Sequence, residues 1–286
     1  MPSTKEIRRR IKSIKSTRQI TRAMEMVSAA KMRKAQMQAL ATRNYAALAW
    51  ELLNNLAAKG DPNIHRLLRQ PERTAQIGII LMSSNRGLIG GFNAAIARSG
   101  IELAKKYPAA GFITMGKKAR DAVRKAGYQI VADFEKKETV GSVLDINSLA
   151  SLAVNEFLGG KFDKVFLVHM SFVSTLVQKP AAMELLPLRK PQPVQNTEQM
   201  RDYLFEPSVD YVLENILPRL TTMQIYQALL ETNAAEHSAR MVAMKNASDA
   251  AGDLISDLTL EFNKIRQGNI TREISEIVAG KLALTN

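Results

Sequence analysis

Residues 20–35 read ITRAMEMVSAAKMRKA. On a helical wheel of about 100° per residue, Ile20, Ala23, Met24, Val27 and Ala30 share one stripe, which suits packing on a core or a partner helix. Met26 and Met32 fall outside that stripe, on flanks that also carry Arg22, Glu25 and Arg33. Isolated exposed apolar residues are ordinary. Two methionines are a different matter, because a flexible thioether side chain suits a surface that must fit more than one shape. The stretch therefore predicts a helix with one stripe packed inward and Met26 and Met32 turned toward something other than water.

The stretch lies inside a longer segment. From about residue 4 to residue 57 there is no Gly, and no Pro after Pro2. Ile7, Ile11 and Ile14 have helical spacing, Ile20, Met24 and Val27 repeat it, and Leu48, Leu52, Leu53 and Leu56 close it. Ser3 or Thr4 is the expected N-cap, with Glu6 close behind, and Gly60-Asp61-Pro62 the expected stop. Such a helix is about 80 Å long, too long to lie on one small domain. A second long helical pattern runs from about Ser208 to the end, with Pro218 expected to kink or break it early and a stripe at Leu254, Leu258, Phe262 and Ile265. Residues 1–57 hold twelve Lys and Arg against three Asp and Glu, whereas residues 209–286 hold seven against ten. Opposite charge favours pairing of the two as an antiparallel coiled coil, although Arg18, Thr21 and many alanines fall near the seam.

Between the helices the pattern changes. Residues 61–75 read as a polar connection. Strands are expected at Ile77–Met82, Gly111–Gly116, about Gln129–Ala132 and Asp163–Met170, alternating with helices, and an edge strand followed by loop in the proline-rich residues 178–207. Alternation of this kind implies an α/β sandwich with a mostly parallel sheet. The organisation is thus a coiled-coil helix at 1–58, an α/β domain at 76–190 and a second coiled-coil helix at 208–286.

Composition narrows the function. The absence of cysteine excludes disulfides, thiolate metal sites and cysteine nucleophiles. A formal net charge of +13 points to an anionic partner, whether nucleic acid, a membrane surface or acidic protein loops. The run from Lys5 through Arg8, Arg9, Arg10, Lys12, Lys15, Arg18 and Arg22 has the charge for phosphate contact, but the first 44 positions lack aromatic residues for stacking on bases. No apolar run approaches the roughly 20 residues that span a bilayer. The basic, amphipathic N-terminus has no apolar signal core, runs directly into the helix, and reads as mature structure.

Catalytic chemistry finds little support. SSNRGLIGGFN follows a strand and opens a helix, a place where phosphates bind, but it matches neither G-x-G-x-x-G nor the G-K-[ST] of a P-loop. A tight turn needing Gly87, Gly90 and Gly91 is the simpler reading. His65, His169 and His237 are scattered, and no nucleophile and base pair stands out. At the other end, Ile270, Ile274, Ile277, Val278, Leu282 and Leu284 crowd a helix tip, and apolar residues there call for cover from another chain.

ITRAMEMVSAAKMRKA, SSNRGLIGGFN, EHSARMVAMKNASDA and FNKIRQGNITREISEIVAG, in that order along the chain, resemble the gamma subunit of F-type, rotary ATP synthases. The resemblance covers essentially the whole chain. It implies a rotor shaft, one copy per complex, inside a ring of three alpha and three beta subunits. The α/β foot would dock on the membrane-embedded c-ring beside the epsilon subunit. Catalysis would lie on beta, so the chain itself would have no catalytic residue, cofactor or metal, bind no nucleic acid and not insert into the membrane. Met26 and Met32 would face the surrounding sleeve. By motif, Met24, Arg240 and Lys245 match positions near the beta contact, and Gln267, Thr271 and Glu273 a polar catch higher on the shaft. Tyr203, Phe205 and Glu206 match the foot surface toward the c-ring and epsilon. The family often has Asp where this chain has Asn85, and a small residue or Cys in place of Ile89, so the geometry of that loop is expected to differ. A peripheral protein on the cytoplasmic side of a bacterial cell membrane follows from the same resemblance.

Overall fold

The computed structural model describes residues 3–59, 65–137, 142–188 and 208–284, with the side chains at 43–59, 209–210, 280 and 282–284 outside that description. The elements are α1 (Thr4–Lys59), β1 (Gln76–Met82), α2 (Phe92–Ala104), β2 (Ala109–Met115), α3 (Lys117–Lys125), β3 (Gln129–Phe134), α4 (Asn147–Leu158), β4 (Lys164–Phe172), β5 (Gln178–Leu186) and α5 (Val209–Leu284). They form two compact units. One contains the start of α1 up to Ser28 and α5 from Arg240 onward; the other contains Ala29–Ala239. The Ser3 hydroxyl accepts from the Glu6 amide at 3.2 Å and so caps α1. The expected stop at Gly60-Asp61-Pro62 and the side chains of Leu48, Leu52, Leu53 and Leu56 lie outside the described residues. Pro218, expected to kink the helix or break it early, stands inside α5, which continues through it without a break. Proline deprives one backbone carbonyl of its partner, and this segment keeps its helix while Leu217 and Leu220 on either side are buried in the core.

The α/β unit is a five-stranded sheet of order β3-β2-β1-β4-β5. Neighbours are parallel except β4 and β5, an antiparallel hairpin that ends the sheet. Successive residues of β1 point to opposite faces, and both faces are covered. Ile80 and Met82 join a core with Leu149 and Ala153 of α4 and Leu217 and Leu229 of α5. Ile77, Ile79 and Leu81 join a second core with Phe92 and Ile96 of α2 and Val123 of α3. Gly78 and Gly111 are register partners, and a Cβ at either would come within 2.7–3.0 Å of the Phe162 ring, so the two glycines make the slot that ring fills. The connection before β1 is less polar than its composition implies, because Leu67 and Leu68 in a short 3-10 turn are buried in the first core.

β1 stands where the strand order reverses, the position at which open α/β sheets bind ligands beyond their strand ends. Here that place is taken up by the chain itself. The Ser83 hydroxyl accepts from the Ala119 amide at 2.6 Å, and the Ser84 hydroxyl donates to the Arg86 carbonyl at 2.6 Å. Asn85 donates from Nδ2 to the Lys136 carbonyl at 2.7 Å and accepts from the Lys117 amide at 3.2 Å. The Lys136 ammonium is buried and paired with the buried carboxylate of Glu236 on α5. Two residues of the same stretch of α5 reach the strand ends: Thr232 Oγ1 accepts from the Met170 amide at 3.3 Å, and the Ser238 hydroxyl donates to the Thr175 carbonyl at 2.6 Å. The loop is a tight turn, but its left-handed residues are Leu88 (φ 63°) and Gly90 (φ 58°), not all three glycines. A carboxylate in place of Asn85 could not donate to the Lys136 carbonyl.

Breaking a buried pair strands the remaining charge. Lys136→Met is expected to lower the unfolding free energy by about 3–5 kcal/mol, and adding Glu236→Leu to recover most of that loss. Chemical denaturation of the parent, the two single variants and the double variant checks this.

Candidate functional site

In the helical unit the packing seam is set by a strict repeat. On α1, Ile7, Ile11, Ile14, Thr21, Glu25 and Ser28 are buried or half-buried, and with Arg18 they recur at alternating spacings of four and three, the heptad of a coiled coil. On α5 the matching set is Met241, Met244, Ser248, Ala251, Ile255, Leu258, Phe262 and Ile265. Two contacts give the register. The Arg18 guanidinium lies across Gly252, where a Cβ would come within 3.3 Å of it, and the Arg8 guanidinium sits 5.5 Å from the centre of the Phe262 ring. Both belong to one antiparallel alignment, which places Thr4, the first residue of α1, opposite Arg266.

Middle seam positions on α1 are polar, and they look after themselves. Ser28 Oγ donates to the Met24 carbonyl at 2.7 Å, and Thr21 Oγ1 to the Arg18 carbonyl at 3.0 Å. A hydroxyl bonded to its own helix needs no partner across the seam, so it can be covered there at little cost.

Apolar residues of α1 consequently stand outside the seam. Ile20 and Val27 are 59% and 55% exposed, and Ala23 and Ala30 are exposed as well, with Met24 half-buried. This reverses the expectation that their stripe packs inward. Met26 is 62% exposed, whereas Met32, expected to face outward with it, is 8% exposed and buried within the α/β unit. The seam is marked not by apolar side chains but by the three-four repeat begun by Ile7, Ile11 and Ile14 and carried on through polar residues. On α5 the same repeat selects Ile255 in place of Leu254, which is 47% exposed.

Beyond Arg266 the register leaves α5 without α1 beside it. Ile270, Ile274, Ile277 and Val278 share one face there and are all exposed, Ile277 by 71%. Leu282 and Leu284 belong to the residues whose side chains are not described. Gln267, Thr271 and Glu273 are exposed on the same stretch, Lys245 is exposed, and Arg240 is half-buried. Tyr203, Phe205 and Glu206 lie outside the described residues. Lys5, Arg8, Arg9, Arg10, Lys12, Lys15, Arg18 and Arg22 are all exposed. Among the described residues no group of three or more His, Asp or Glu side chains is placed to hold a metal ion, and no helix is long and apolar enough to cross a membrane. What stands out on the surface is a set of exposed apolar faces on long helices, beside exposed cations.

Comparison with known proteins bears on this surface. The family model for ATP synthase, ATP-synt, matches residues 3–284. An ATP synthase gamma chain from Roseiflexus sp. (strain RS-1) is 43% identical over 289 residues, covering 99% of each chain. That of Chloroflexus aurantiacus (strain ATCC 29366 / DSM 635 / J-10-fl) is 43% identical over 292 residues and covers the whole of both. Among solved structures, the fold resembles a chain of the Euglena gracilis mitochondrial ATP synthase rotor, with a TM-score of 0.65 at 19% identity, covering 93% of this chain and 98% of that one. It also resembles a chain of the Tetrahymena thermophila mitochondrial ATP synthase central stalk and c-ring, with a TM-score of 0.61 at 22% identity over 80% and 99%. With a family model spanning nearly all its residues and full-length relatives above two-fifths identity, the chain belongs to the ATP synthase gamma-chain family.

Proposed function

We propose that this chain is the central rotor shaft of an F-type ATP synthase, linking rotation of the membrane c-ring to conformational change at the catalytic beta subunits while doing no bond chemistry itself. The observation that carries the reading is the apolar face at Ile270, Ile274, Ile277 and Val278, exposed beyond the point where α1 begins. Covering each such side chain fully is worth about 1.5–3 kcal/mol, a strong incentive for a socket made by other chains. In this reading the socket is a ring of three alpha and three beta subunits around one copy of this chain; the relatives' name, ATP synthase gamma chain, supports membership of an ATP synthase.

In this reading the outward stripe at Ile20, Met24 and Val27, with Met26 and the neighbouring Arg240 and Lys245, bears on the surrounding subunits in turn. A shaft that meets several partners in succession gains from shallow, adaptable apolar contact and from cations that attract acidic loops without locking onto them. Gln267, Thr271 and Glu273 supply hydrogen bonds that form and break as the shaft turns. Tyr203, Phe205 and Glu206 serve the foot, toward the c-ring and epsilon. The filled strand ends at Ser83–Asn85, Lys136 and Glu236 favour a foot that transmits torque over one that binds nucleotide. Location at the cytoplasmic face of a bacterial cell membrane follows from the c-ring partner.

Reconstitution tests the reading. Purified alpha and beta subunits should hydrolyse ATP severalfold faster once this chain is added, and a variant with Ile270, Ile274 and Ile277 all changed to Ser should associate at least about tenfold more weakly. Unchanged hydrolysis on adding the parent chain would contradict the proposal. Met24→Lys places an ammonium in the shaft contact; assembly is expected to persist while proton pumping per ATP hydrolysed falls, measured by fluorescence quenching in inverted vesicles alongside phosphate release.

A further inference from the structure

At the end of the sheet opposite the filled crevice, below the starts of β1 and β4, lies a wide-mouthed surface pocket of about 520 Å³ within the α/β unit. Arg66, Arg69 and Arg73 line it, together with Glu72, Asp163 and the half-buried ring of Phe157. Asp163 is already engaged: its Oδ2 accepts from the Ala75 amide at 2.7 Å and the Gln76 amide at 2.9 Å, which ties down the start of β1. Arg66 is held in place by one donor, its Nη2 bonding the Leu158 carbonyl at 2.6 Å, and among the described residues no other bond takes up its guanidinium fork. Arg69 and Arg73 are exposed and make no ion pair among the described residues.

Such a pocket has the size of a small-ligand site, an apolar wall and three guanidinium groups at its margin. Guanidinium forks match the oxygens of phosphate in pairs, which a lysine cannot do. We propose that it binds a phosphate-bearing ligand, with Arg69 and Arg73 on the phosphate oxygens, Arg66 as a fixed third donor, and Phe157 against the body of the ligand. The chemistry is shared by the headgroup of an anionic phospholipid and by a free phosphate compound. None of the residues proposed for contact with other subunits lies in this pocket, so the inference stands or falls separately from the shaft reading.

The test uses the full chain, Arg69→Gln/Arg73→Gln, and a control Lys105→Gln/Lys106→Gln, which removes the same charge from exposed residues that do not line the pocket. Two arms are run at about 0.15 M salt, where loose surface attraction is largely screened. One titrates inorganic pyrophosphate by calorimetry; the other measures flotation with phosphatidylglycerol vesicles against phosphatidylcholine vesicles. Binding in at least one arm is expected, weakened about tenfold or more by the arginine pair and unchanged by the lysine pair. The arm that responds identifies the source of the phosphate. Absence of binding in both arms, binding retained by the arginine variant, or equal loss in both variants would overturn the proposal. Matching thermal unfolding of the three proteins guards against a folding artefact.

Discussion

On α1, Arg18, Thr21, Glu25 and Ser28 hold the seam of a coiled coil while Ile20, Val27 and Met26 face away from it. An ordinary two-helix pair in water does the opposite, because its stability comes from the apolar surface its seam removes from solvent. Here the seam is apolar at one end, where Ile7, Ile11 and Ile14 of one helix meet Ile255, Leu258, Phe262 and Ile265 of the other. Beyond them it relies on hydroxyls bonded to their own backbone and on the Arg18 guanidinium laid across Gly252. Apolar surface is thereby set aside on the outside of the pair. That division of labour makes sense only if other chains cover the outside, and the rest of the proposed function rests on it.

The α/β unit shows the same logic in reverse. Its sheet residues pack into two cores on the two faces of one sheet, although Leu88, Leu144, Val173 and Leu176 on its loops are exposed. Its strand ends, where related architectures hold ligands, are closed by hydrogen bonds from the Ser83–Asn85 turn and by a lysine and a glutamate that satisfy each other. Because Glu236, Thr232 and Ser238 belong to α5, the helix is fastened to the sheet by polar contacts as well as by the packing of Leu217, Leu220 and Leu229. A unit fixed to its helix in both ways can pass on a turning force with little slip.

Much of this was legible in the chain. The lengths of α1 and α5 followed from the scarcity of glycine and proline, and the parallel sheet from short apolar runs between helical stretches. Residues such as Ile80 and Leu167 are buried in strands, and strands buried on both faces read as continuous apolar runs. The exposed face at Ile270, Ile274 and Ile277 was visible too, since periodic isoleucines at a helix end have nothing of their own to pack on. The inward face of α1 was not. Hydropathy and register disagree between Arg18 and Ser28, and only packing decides between them; Met32 fell on the wrong side for that reason. Nor could spacing reveal that Lys136, a hundred residues from Glu236, would be its buried partner, because two isolated charges carry no periodic signal.

Hydroxyl-radical footprinting of the isolated chain and of the chain assembled with alpha and beta subunits bears most directly on the reserved outer surface. The account predicts that Met26 and Ile277 react readily in the free chain and are strongly protected after assembly, while the self-buried Met32 reacts slowly in both. Equal reactivity of Met26 and Ile277 before and after assembly would contradict it.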